Sequence, residues 1–180
     1  MRSVFKLLSL EPDPGRVRDL ASVERIAEAL DHLEPDAARY VATFAYVLAR
    51  VAHADWEISE VERSAMRRLA KQTMGLAAEQ ARLVVEIATG QALELGAHEY
   101  YTVTRRFREL SNREQRLALL ECLFAVAAAD ENVSTAENNE ISKIASELGL
   151  TPPEVTAARA AVRQHLAVLR GLPGETGGGS

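Results

Sequence analysis

The chain has 180 residues, 47% of them hydrophobic, with a formal net charge of −5 and a pI of about 5.5. That length suits one ordinary domain with a core of its own, and the acidic balance argues against a general nucleic-acid binder. A single cysteine, Cys122, excludes an intramolecular disulfide and a cysteine-based zinc site; it reads as the packed thiol of a cytoplasmic protein.

In chain order, the first segment sets Arg2 and Lys6 among Val4, Phe5, Leu7, Leu8 and Leu10. It is too short to span a membrane and lacks a small-residue cleavage site, so we expect it to dock on the core. Helical periodicity then recurs over 17–33, 40–54, 61–74, 79–93, 100–110, 117–129, 141–148 and 155–169, with almost no strand signal. Segments 40–54 and 117–129 are apolar nearly all the way round, which places them at the centre of a bundle. The first of these stacks Tyr40, Phe44, Val47 and Val51 in one stripe. The expectation is an all-α bundle of about eight helices spanning residues 1–170, followed by a flexible Gly-rich tail over 171–180.

Ser59 to Glu62, Ser111 to Glu114, Ser134 to Glu137 and Thr151 to Glu154 each have the form of a capping box, in which hydroxyl and carboxylate satisfy the first helical N–H groups reciprocally. Pro152 stands where a helix tolerates proline. Gly75 and Gly149 mark helix ends, each followed by a leucine, Leu76 or Leu150, placed to pack back. An arginine-rich patch (Arg105, Arg106, Arg108, Arg113 and Arg116) has no interleaved aromatic platform and reads as solvated helix faces, not as a nucleic-acid site. His32, His53, His98 and His165 share no metal-ligand spacing on one helix. His53 lies two residues before Asp55, within reach of a site there, and reads as a histidine snorkelling from a buried helix end. Phosphate loops, nucleophile elbows and Cys–His pairings are absent, so the chain reads as non-enzymatic.

The most informative feature is an internal repeat. A shift of 75 residues lays 48–70 over 123–145 with eight of 23 positions identical: Leu48/Leu123, Val51/Val126, Ala52/Ala127, Ala54/Ala129, Asp55/Asp130, Ser59/Ser134, Glu62/Glu137 and Ala70/Ala145. Each copy, about 40–75 and 115–149, reads as a buried helix, an acidic corner and an amphipathic helix. Two such copies suggest pseudo-symmetric halves that bury their apolar faces against each other.

The corners align Asp55, Glu57, Ser59 and Glu62 with Asp130, Asn132, Ser134 and Glu137. A carboxylate at a helix C-terminus sits at the wrong end of the macrodipole and needs compensation. The N–H groups opening the next helix would supply it, making the aspartate a structural clasp. A hard cation such as calcium or magnesium, held by oxygen ligands, would supply it too. The corners are not EF-hands: the sixth loop position is Glu60 or Thr135 instead of Gly, and the twelfth is Met66 or Ile141 instead of Glu.

Leu123 to Asp130, then Val133, Ser134 and Glu137, then Ile144-Ala145, Leu148-Gly149-Leu150 and Glu154 resemble the tellurite-resistance TerB family, whose relatives include the N-terminal region of membrane-anchored DnaJ-type co-chaperones. The stretch 52–62 resembles the same signature, and the likeness spans about 37–160. The resemblance implies an all-helical fold of two pseudo-repeated halves. It also implies an acidic surface for a divalent metal and a cytoplasmic stress-response role beside membrane-associated and other protein partners; stable membrane insertion is not expected, because no apolar stretch approaches the length of a span. Carried onto this chain, the acidic positions are Asp55, Glu62, Asp130 and Glu137. Where the family has Gly after the aspartate, this chain has Trp56 or Glu131, so Asn132 is the candidate for the left-handed turn and the second corner is the better metal candidate. A metal-free alternative makes the corners structural and the surface around Trp56 and Glu57 the partner interface.

Overall fold

In the computed structural model, residues 4–8, 10, 20–52, 60–72, 76–90, 97–128 and 135–171 are described, without the side chains at 20–24, 52, 61, 62, 65, 69, 97 and 165–171. Every regular element among them is a helix: α1 (Val4–Leu7), α2 (Leu20–Asp31), α3 (Pro35–Ala52), α4 (Glu60–Gln72), α5 (Ala78–Thr89), α6 (Ala97–Leu110), α7 (Arg113–Ala127), α8 (Thr135–Glu147) and α9 (Pro152–Gly171). The fold is all-α, as the periodicity requires. The short α1 adds one helix to those expected, and it docks through Val4, Leu7 and Leu8, all buried. None of the described helices is long and apolar enough to cross a membrane.

The two segments without a polar face are the middle of the molecule. Every residue from Val41 to Val51 is buried, and α3 is packed by α1, α2, α5, α6, α7 and α8. On its α6 side Tyr40, Phe44 and Phe107 cluster, with ring centroids 5.3 to 6.5 Å apart. In α7, Leu119, Leu120, Cys122, Leu123, Phe124, Val126 and Ala127 are buried. The repeat shows in the packing: Leu48/Leu123, Val51/Val126, Met66/Ile141 and Ala70/Ala145 are buried at matched positions. The halves interlock, since α4 of the first copy packs on α7 of the second and α8 of the second packs on α3 of the first.

Two of the four expected capping boxes fall on described residues, and both differ in detail. At α7 the cap is Asn112: its Oδ1 accepts from the Gln115 N–H at 2.9 Å, and Gln115 Oε1 accepts from the Asn112 N–H at 2.9 Å. Ser111 is instead buried, its hydroxyl donating to the Phe107 carbonyl at 2.7 Å and so closing α6. The box is displaced by one residue because a buried hydroxyl takes the nearest orphan carbonyl. At α9, Glu154 reaches back to the Thr151 N–H at 2.7 Å as expected, but the Thr151 hydroxyl donates to that carboxylate, also at 2.7 Å, rather than accepting from the helix. An ionised carboxylate is the stronger acceptor within reach.

The α8 terminus is a Schellman motif. Leu150 N–H donates to the Ala145 carbonyl and Gly149 N–H to that of Ser146, both at 3.0 Å, with Gly149 at φ +72° and Leu150 packed back and buried. Arg108 closes over this turn, donating to the Glu147 carbonyl at 3.4 Å. A Cβ at position 149 would lie 3.0 Å from the Arg108 guanidinium carbon. Gly149→Ala is therefore expected to destabilise the protein by about 1–2 kcal/mol, from left-handed strain and displacement of Arg108. Urea unfolding measures the loss; an unchanged midpoint would refute it.

Candidate functional site

Near the end of α3, in the buried and largely apolar stretch 41–51, stands Arg50, 8% exposed. Its Nη1 and Nη2 donate to the two carboxylate oxygens of Glu147 at 2.5 and 3.0 Å, a bidentate clamp. Nε donates to Glu140, and Nη1 also donates to the Thr104 hydroxyl at 3.1 Å. That hydroxyl passes its own proton to the Tyr100 carbonyl at 2.9 Å, and the guanidinium carbon lies 5.8 Å from the Tyr100 ring centroid. Lys143 donates to the second oxygen of Glu140 at 3.1 Å. One guanidinium thus joins α3, α6 and α8, with two cations facing two carboxylates.

The electrostatics follow from burial and pairing. For Arg50, burial works against the charge, and the hydrogen bonds it donates to Glu147 and Glu140 outweigh it, raising the guanidinium above its ordinary value. For Glu140, burial pushes the carboxyl up, and the hydrogen bonds from Arg50 and Lys143 bring it below its ordinary 4.5. Burial likewise raises the Tyr100 phenol. All three groups stay in one charge state across neutral pH, so the cluster holds position rather than shuttling protons.

Its location ties it to the acidic corners. Arg50 precedes Asp55 by five residues, and Glu140 follows Glu137 by three, on the same helix. The helix entering the first corner and the helix leaving the second are therefore bolted together just inside both. Of the expected site residues, Glu137 is described in full: it lies in the first turn of α8, 2% exposed. Glu62 lies in the first turn of α4, without a described side chain. Asp55, Trp56, Glu57, Asp130 and Asn132 lie outside the described residues, as do Ser59, Ser134 and His53. No group of three or more His, Cys, Asp or Glu side chains among the described residues could hold a metal ion. The oxygen donors Asp130, Asn132 and Glu137 are of the type calcium and magnesium prefer, so the donor chemistry fits a hard cation.

The arginine patch has a definite use. Arg116 donates to the Arg108 and Ser111 carbonyls at 3.0 and 2.8 Å, Arg113 pairs with Glu154 at 2.5 Å, and Arg105 and Arg106 pair with Glu109 at 3.4 and 2.9 Å. With Arg108 on the end of α8, these side chains close helix C-termini and join neighbouring segments. Sequence reasoning did not isolate Arg50, Glu140 and Glu147. The available signal was a charged residue inside segment 40–54 where the second copy has Ala125.

Residues 41–160 match the model of the family described as tellurite resistance protein TerB. The chain belongs to the TerB family. Comparison with curated proteins and with solved structures returned no match. The matched span runs from the start of the buried stretch of α3 to the middle of α9, so this TerB domain contains both corners and the whole Arg50 cluster.

Arg50→Met leaves Glu147 without its cation and Glu140 with Lys143 alone, and is expected to cost about 3–5 kcal/mol in denaturant unfolding. The pH dependence should change sign. In the wild type, Glu140 has a depressed folded pKa; its contribution is complete above about pH 4.5 and is lost as pH falls through the folded value. In Arg50→Met, burial raises that pKa, so the variant should regain stability relative to wild type on acidification. Parallel acid-limb shifts for the two proteins would show that the cluster is not what holds α8.

Proposed function

We propose that this TerB-family chain is a non-catalytic module in a stress response. It takes up a divalent cation, calcium or magnesium, at its acidic corners and signals to protein partners through the surface carrying Trp56 and Glu57. The second corner, with Asp130, Asn132 and Glu137, is the principal site, and Asp55 and Glu62 form its counterpart in the first copy. The burial of Glu137 carries this reading. A capping glutamate can remain in water, as Glu154 does with 22% of its side chain exposed, whereas Glu137 is 2% exposed at the head of α8. A carboxylate taken that far out of water requires strong compensation. Glu137 already has an interaction within the chain, and its two oxygens allow that contact and a cation to share it.

A second reading is a metal-free interaction domain. It rests on the position of Glu137, three residues after Ser134, where a capping glutamate belongs. Titration of chelator-stripped protein with calcium, magnesium, manganese and zinc, by calorimetry and thermal melts, separates the two. One cation should bind wild type and lose affinity in Asp130→Asn and Glu137→Gln. A hundredfold excess over Kd should stabilise the fold by about 2.7 kcal/mol. Absence of binding, with variants merely less stable, would establish the metal-free reading. Equal binding to the variants would remove the ion from this corner.

A further inference from the structure

Along α4 a second charged feature lies apart from the corners. Met66 and Ala70 face inward and are buried, and the helix packs on α5 and α7. The opposite face carries Arg67, Arg68 and Lys71, all exposed, flanked by exposed Ser64 and Gln72. Arg63 borders the face with a loose contact to Glu60 at 3.9 Å, the two side chains being 40% and 79% exposed. Elsewhere arginines have work to do: Arg39, Arg50, Arg106 and Arg113 pair with carboxylates, and Arg108 and Arg116 close helix ends. Among the described residues, Arg67, Arg68 and Lys71 have no ion pair or side-chain hydrogen bond.

Three unpaired cations within five residues of one helix, on a chain of net charge −5, form a local field opposite in sign to the whole. Arg63, Arg67 and Lys71 recur every fourth residue, a rise of about 6 Å per step. A partner helix with glutamates at the same interval presents carboxylates at that spacing, and the guanidinium fork matches each one. Among the described side chains, the face has no aromatic ring on which a base could stack and no large apolar group to enter a lipid interface. The overall negative charge also repels extended polyanions, whereas a short acidic segment meets only this face.

We infer that the solvent face of α4 is a docking surface for an acidic helical segment of a partner protein. The test uses the full chain and a fluorescent synthetic helical peptide with glutamate at every fourth position. Anisotropy should show binding that weakens as salt is raised, by about tenfold or more in Arg67→Glu/Arg68→Glu/Lys71→Glu and not at all in Arg163→Glu on α9. Thermal melts should give both variants the wild-type midpoint, since these side chains are exposed. Absence of peptide binding, or binding unchanged in the triple variant, overturns the inference. So does preferential binding of phosphatidylserine vesicles or a single-stranded oligonucleotide, or a wild-type dimer in sedimentation that the triple variant abolishes.

Discussion

A buried guanidinium held by two carboxylates from another helix is the constraint on which the site geometry depends. Desolvating Arg50, Glu140 and Glu147 is costly, and their mutual attraction offsets the cost only when all three are in place. Such a cluster adds little net stability over an apolar one but penalises any other placement of α8 severely. This matters because α8 is a mostly polar helix whose inward face is narrow: Ile141, Ile144, Ala145 and the carboxylate of Glu137. Apolar contact of that extent would tolerate a rotation or slip along the bundle; the bidentate contact to Glu147 with the simultaneous bond to Glu140 does not.

The cluster also breaks the symmetry of the duplication. In the repeat alignment Arg50 faces Ala125, Glu140 faces Ala65 and Glu147 faces Gln72. Neither copy contains the cluster alone; it exists only because α8 crosses onto α3 while α4 crosses onto α7. The apolar identities of the repeat build two similar halves, and the unmatched charges fix how those halves meet. The two acidic corners are consequently not equivalent. The second leaves directly into the pinned helix, and the first leaves into α4, whose outer face carries unpaired cations.

Arginine serves three physical roles here, distinguished by what surrounds it. Buried in α3, it is a pin. At helix ends, Arg108 and Arg116 put positive charge on the carbonyls that carry the negative end of the macrodipole, the favourable end for a cation. On the outside of α4, Arg67 and Arg68 are exposed and have no ion pair among the described residues. Composition alone cannot separate these roles, because each depends on which carbonyl, carboxylate or water lies at the end of a long flexible side chain.

Hydropathy period and repeat were enough to determine the all-helical class, the central position of α3 and α7, the docking of the N-terminal segment and the Gly149–Leu150 turn, because each depends on local pattern within a few residues. Membership of TerB was legible for the same reason, through the duplicated Asp, Ser and Glu signature. Cap registers were readable only to within a residue: Ser111 and Asn112 both suit a cap, and the burial of Ser111 against α6 decided between them. The Arg50 cluster was not legible, since its partners lie 90 and 97 residues away and no periodicity relates them. Nor could the sequence separate the engaged arginines of α6 and α7 from the unpaired cations of α4. Only tertiary structure decides these matters, because the energy of a charge is set by the groups the fold brings within a few ångströms of it.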